Sequence, residues 1–131
     1  MIIDLISFGF KYNNTPDTNY LIDVRFLNNP YYIKELKELT GLDKEVIEFF
    51  EKDKDTQKFI NELYCFIELL ISENIKAKKQ KITIAIGCTG GQHRSPYITE
   101  YIAKELHQRK QLISELTIYH KQLKKYNMSM N

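Results

Sequence analysis

The chain has 131 residues, 43% of them hydrophobic and 27% charged, with a formal net charge of +2. That length fits one domain with a real core, and no apolar run approaches the roughly 18 residues of a membrane span. Its two cysteines, Cys65 and Cys88, show no disulfide spacing, and "MIIDLISFGF" has neither a basic leader nor a cleavage site, so a reducing cytoplasm is expected.

The charge is unevenly spread. Residues 1–75 carry 8 Lys/Arg and 14 Asp/Glu, whereas residues 76–131 carry 11 and 3, leaving halves of −6 and +8. A basic half suggests an anionic partner, phosphate ligand or nucleic acid, although an acidic half packed beside a basic one reads the same way.

In chain order, "IIDLISF" at 2–8 reads as a buried strand. The stretch "GFKYNNTPDTN" is turn chemistry, rich in Gly, Asn, Pro and Asp. A second strand is expected over 20–27, "YLIDVRFL", followed by the breaker "NNP". Short helices are expected over 31–39 and 43–52, with Gly41 ending one and Asp43 capping the next. Apolar residues at three- and four-residue spacing from Phe59 to Ile75 predict a long helix from Asp55, as N-cap, to about Lys78.

"KITIAIG" at 81–87 is the clearest strand, and 96–109 reads as a helix with Ile98, Ile102 and Leu106 on one face. "ELTIYH" at 115–120 predicts a last strand before a basic tail that should fray. Strands alternating with helices imply an α/β fold: one domain over 1–131, its mostly parallel sheet flanked by helices.

Chemistry concentrates in "GCTGGQHRS", residues 87–95, between a strand and a helix. Ligands in open α/β sheets bind at the carboxyl ends of strands. Gly90 and Gly91 permit positive φ and close backbone approach, so successive amides can converge on one anion. A helix starting near Ser95 or Pro96 adds unpaired amides and a positive dipole end. Arg94 can hold two phosphate oxygens, Thr89 and Ser95 offer hydroxyls, and His93 a titratable donor. The combination reads as an anion cradle. An ordinary Gly-rich turn is the bland alternative, favoured for Gly-Gly alone but not for the whole set.

The same loop fits C-x5-R-[ST], which resembles the signature of cysteine-dependent phosphatases. Cys88 would then be the nucleophile, Arg94 the phosphate clamp and Ser95 an aid to the leaving thiolate, with the helix dipole and Arg94 lowering the thiol pKa. The only loop carboxylates available as general acid are Asp17 and Asp43. A small buried hydrophobe at a strand end is the commoner fate of a free cysteine.

Four motifs in order, "SFGFKY", "DVRFLNNPYY", "LTGLD" and "IAIGCTGGQHRSPYI", resemble the C-terminal domain of the RapZ/YvcJ family of RNase adapter and nucleotide-binding proteins. The resemblance runs from Ser7 through "YHKQLKK". With no GxxxxGK[ST] motif in the chain, it implies a stand-alone version lacking the family's P-loop domain, so nucleotide hydrolysis is not carried over. It implies a regulatory binding module for a phosphorylated small molecule, glucosamine-6-phosphate or a nucleotide, coupled in some members to RNA or a partner protein, and self-associating as a homo-oligomer.

The positions that match the family's ligand motifs are Lys11, Tyr12, Arg25, Cys88, Thr89, Gly90, Gly91, His93, Arg94 and Ser95. Lys121, Lys124 and Lys125 fall in the basic segment that contacts RNA in some members. The chain departs from the pattern at Asn13, Asn28 and "HKQ". No cofactor and no metal site is expected.

Other readings of these residues stay open. Lys11 and Tyr12 sit on a loop where a cation and a phenol can face one anion. Arg25 reads either as a ligand contact or as a salt bridge with Asp23. Tyr31 and Tyr32 can stack on a sugar or base, but packing into the core at a helix start is the stronger expectation. His120 ends a strand on the ligand side, where a lone histidine is usually satisfied by local hydrogen bonds. An RNA-binding adaptor, drawn from the +8 half, is the remaining alternative, and neither an RNP nor a KH pattern supports it.

Overall fold

A computed structural model describes residues 1–109, 111–123 and 128–130. Strand β1 spans Ile2–Gly9, β2 Tyr20–Asp23, β3 Lys81–Cys88, β4 Glu115–His120 and β5 Met128–Met130. They form one sheet in the order β2-β3-β1-β4-β5, parallel except for β5, which runs antiparallel to β4. Among the described residues three α-helices complete the fold: α1 over Lys44–Lys52, α2 over Lys54–Lys76 and α3 over Arg94–Leu106. The single α/β domain with a mostly parallel sheet is the one expected from the alternation of strands and helices.

Register explains the core. Ile3 aligns with Ile82 and Leu116, and Leu5 with Ile84 and Ile118, so alternate residues of three strands share one face. That face packs on Ile60, Leu63, Ile67 and Ile71 of α2 and on Ile98, Ile102 and Leu106 of α3, all buried. Full burial of each such side chain contributes about 1.5–3 kcal/mol before entropy is counted. The α2 residues keep the three- and four-residue spacing of the sequence, which is why that helix was legible.

Several boundaries differ from expectation, each for a local reason. The strand expected over 20–27 stops at Asp23, whose carboxylate accepts the Arg25 amide at 2.9 Å and turns the chain out of the sheet. Helix α2 begins at Lys54, because Asp53 already stands in extended conformation and accepts the Thr56 hydroxyl at 2.7 Å. Asp43 precedes α1 as expected, yet its carboxylate accepts the Thr40 amide at 2.7 Å rather than a helix amide. Helix α3 starts two residues before Pro96; as its third residue, the proline falls among the four positions whose amides need no helical partner. Part of the tail expected to fray lies outside the described residues, and Met128–Met130 within it pair with β4.

The helix expected over 31–39 does not form. A single 3-10 turn at Pro30–Tyr32 is followed by further turns, with Leu36 N bonded to Ile33 O and Leu39 N to Leu36 O. The carbonyls of this segment face other partners: His93 Nε2 lies 2.8 Å from Leu36 O, and Gln92 Nε2 donates to Lys37 O and Leu39 O at 2.7 and 2.8 Å. Tertiary bonds to the loop after β3 have taken the acceptors that a helix would use.

Candidate functional site

The carboxyl ends of the parallel strands lie together: Gly9 aligns with Cys88, Asp23 with Gly87 and Ser7 with His120. The segments leaving β1, β2 and β3 therefore meet at one edge. There they enclose a hollow of about 250 Å³ lined by Lys11, Asn29, Tyr31, Tyr32, Cys88, Thr89, Gly90, Gln92, His93 and Arg94. No carboxylate is among these residues. Its fixed charges are the cations of Lys11 and Arg94.

The turn after β3 leaves a run of backbone amides without protein acceptors among the described residues. Gly91 adopts φ +66°, a region closed to most side chains, and its Cα stands against Gly9, Phe8 and Gln122. Gly90 needs no positive φ, contrary to the expectation for the pair; the Lys11 side chain passes over its open face. The backbone amides of Gly90, Gly91, Gln92, His93 and Arg94 donate to no acceptor among the described residues. They lead into the start of α3, of which Arg94 is the first residue, and a helix dipole favours an anion at that end.

The "LTGLD" motif supports this turn from outside. Gly41 N donates to Gln92 O at 2.8 Å. A Cβ on Gly41 would run into the His93 carbonyl and would stand 2.6 Å from Tyr97 N. Only a residue without a side chain lets the two backbones approach so closely.

Arg94 is 4% exposed. Its Nη1 donates to Arg25 O at 2.6 Å and to Leu27 O at 3.1 Å, and Nη2 lies 3.4 Å from Thr89 Oγ1. Nε is buried and has no hydrogen-bond partner among the described residues. The guanidinium thus has Nη1 spent on two carbonyls, Nη2 held only by the long bond to Thr89, and Nε enclosed by protein. Leaving such a donor unsatisfied costs about 1–3 kcal/mol.

His93 is buried, and removal from water pushes its imidazole below the ordinary value, outweighing the raising effect of the Leu36 and Leu39 carbonyls. A neutral ring bonded to the Leu36 carbonyl carries its hydrogen on Nε2. Tyr31 meets it edge-on, with ring centroids 6.5 Å apart. Cys88 is also buried: Sγ accepts the Ser95 amide at 3.4 Å and lies 3.2 Å from Ser95 Oγ. Ser95 is fully buried and bonds Phe8 O at 3.2 Å, so it stands behind the hollow rather than in its wall.

Of the ten residues expected at the ligand, the structure gathers Lys11, Cys88, Thr89, Gly90, His93 and Arg94 in the wall, with Gly91 and Ser95 directly behind. Tyr12 and Arg25 are not in the lining. Arg25 takes the salt-bridge reading: it pairs with Asp23 at 2.7 Å, which lowers the Asp23 pKa, and it stacks over Phe10 at 3.9 Å. Asn29 and Gln92 were not among the expected ligand residues, and Tyr31 and Tyr32 entered only as the weaker of two readings. Tyr31 and Tyr32 are 44% and 84% exposed, so the expected core packing is overturned; the missing helix leaves both rings at the rim. Turn chemistry at "NNPYY" was the available signal.

His120 is fully buried between Ser7 Oγ at 2.6 Å and Glu100 Oε2 at 2.7 Å, the local satisfaction expected of it. Lys121 donates to Asn14 O at 2.7 Å, and Lys124 and Lys125 lie outside the described residues. Among the described residues no group of His, Cys, Asp and Glu could hold a metal ion, and no helix is long and apolar enough to cross a membrane.

A family model described as the RapZ C-terminal domain matches residues 1–124. The chain is 44% identical over 124 residues to a nucleotide-binding protein of Lactobacillus helveticus, across 95% of this chain and 41% of that relative. A nucleotide-binding protein of Lactobacillus acidophilus matches at the same identity and extent. One from Bacillus thuringiensis is 47% identical over 104 residues, which cover 79% of this chain and 36% of the relative. The chain thus spans well under half the length of these curated relatives.

Proposed function

The chain belongs to the RapZ C-terminal domain family, and from that premise we propose that it is a regulatory binding module that captures a phosphorylated small molecule in the hollow at 87–95. One observation carries the reading: the buried Arg94, whose Nη2 has only a long bond to Thr89, borders a hollow whose lining among the described residues holds two cations and no carboxylate. Beside it, a run of free amides leads into a helix N-terminus. A phosphoryl group satisfies these donors together.

The rest of the ligand has room at the tyrosine rim, where a sugar or base can stack on Tyr31 or Tyr32. An amino sugar phosphate such as glucosamine-6-phosphate and a nucleotide are the two classes that fit the reading. The relatives' names speak of a nucleotide, but they describe chains of which this one matches 36–41%, so both classes stay in the proposal. Coupling to RNA or a protein through the basic C-terminal segment, and self-association, belong to the same proposal.

The phosphatase alternative is weaker. Its general acid has no candidate in the wall: Asp43 is bonded to Thr40, and Asp17 is not in the lining. Cys88 lines the hollow with Sγ 3.2 Å from Ser95 Oγ, a contact that reading needs, so the missing acid is what places it second.

The test is a thermal-shift panel of inorganic phosphate, glucosamine-6-phosphate, glucose-6-phosphate and nucleoside monophosphates. A ligand bound only by the native state at a hundred times its Kd adds about 2.7 kcal/mol to apparent stability. Failure of every phosphorylated compound to raise the transition would overturn the proposal.

A further inference from the structure

Strand β4 stops at His120, opposite Ser7, while β1 runs on to Gly9. At that point β1 has outlasted its neighbour, and the Gly9 amide on the β4 side has no strand backbone to pair with. A side chain takes over: Gly9 N donates to Gln122 Oε1 at 2.8 Å. The residue is held in place by its own turn, with Lys121 N bonded to Ser7 O at 2.9 Å and Leu123 N to His120 O at 3.1 Å.

The same oxygen touches the loop after β3. A Cβ on Gly91 would lie 2.6 Å from Gln122 Oε1, 2.8 Å from Gly9 N and 2.9 Å from Phe8 C. A Cβ on Gly9 would in turn meet Gly90 C at 2.6 Å. Three segments therefore close on one point, the end of β1, the turn after β4 and the left-handed residue of the cradle. Were β4 longer, its backbone would enter the space that Gly91 occupies. A side-chain amide supplies the acceptor without doing so.

We propose that Gln122 is a positioning residue for the anion cradle: by accepting the Gly9 amide and abutting Gly91, it fixes the turn that presents the amides of residues 90–94. The inference rests on the anion reading for its purpose, though the brace itself is a property of the free protein.

The experiment follows the amide resonances and hydrogen exchange of Gly9, Gly90 and Gly91 in wild type, Gln122→Leu and Gln122→Glu, then titrates each with inorganic phosphate and glucosamine-6-phosphate. Gln122→Leu should lose Gly9 protection, shift the Gly90 and Gly91 resonances, and weaken phosphate binding about tenfold, the scale of one lost hydrogen bond. Gln122→Glu keeps the acceptor, so it should restore the resonances while its added charge still weakens anion binding. A purely structural residue would lower the melting temperature and leave the loop resonances in place.

Unmoved Gly90 and Gly91 resonances in a folded Gln122→Leu would overturn the proposal. Gln122→Ala replaces the leucine variant if that does not fold; failure of both assigns the residue to the fold at large and also overturns it. Shifted resonances in a protein whose wild type binds neither probe leave the brace standing and remove the anion reading instead.

Discussion

Arg94 meets Arg25 through the backbone: its Nη1 donates to the Arg25 carbonyl at 2.6 Å, while the Arg25 side chain turns away to Asp23. One guanidinium thus ties the segment after β2 to the start of α3 and also faces the hollow. Arg94→Ala should cost both properties. Two carbonyls lose their donor, lowering stability by about 1–3 kcal/mol, and a charge-assisted contact of roughly 1.5–3 kcal/mol leaves the ligand, a loss of about 10- to 150-fold in affinity. Urea denaturation and calorimetric titration with the best phosphorylated ligand would measure the two losses. Unchanged affinity in the folded variant would remove Arg94 from the ligand site.

His93 sets a pH dependence. Its folded value lies below the ordinary one, so as pH falls the unfolded chain takes up the proton first. Stability should be full above about pH 6.5 and decline as pH falls below it, toward the lower folded value. The non-titrating His93→Gln should show a shallower decline between pH 7 and 5 in urea denaturation. Parallel curves for the two proteins would mean that His93 does not supply the dependence.

Cys88→Ser separates binding from thiol chemistry. A hydroxyl can accept the Ser95 amide and face Ser95 Oγ as the thiol does, so the fold and the phosphate affinity should survive within a few-fold. Turnover of phosphomonoesters by wild type and its loss in this variant would put the phosphatase reading first.

Tyr32, at 84% exposure, has little packing to lose. Tyr32→Ala should change stability by no more than about 0.5 kcal/mol. It should weaken a ring-bearing phosphate several-fold while leaving inorganic phosphate unaffected, since stacking acts on the ring alone. Equal loss for both ligands, read by titration, would mean that the rim does not sense the ring.

By itself the sequence determined the elements whose signal is local. The alternation in "KITIAIG" and the apolar spacing from Phe59 to Ile75 follow from which face must be buried, and the register of β1, β3 and β4 keeps to that pattern. The cradle was legible too, because glycines, a helix start and an arginine are adjacent in the chain.

Tertiary structure decided what depends on partners far apart in sequence. The 31–39 segment has helix-forming residues, yet Gln92 and His93 take its carbonyls, and that competition exposes Tyr31 and Tyr32 to the hollow. Arg25, Leu27 and Gln122 reach the site through backbone and side-chain bonds that no spacing reveals. Local propensity is worth tenths of a kcal/mol per residue, whereas a buried carbonyl or amide left unpaired costs more, so distant hydrogen bonds settle the loops that the pattern leaves open.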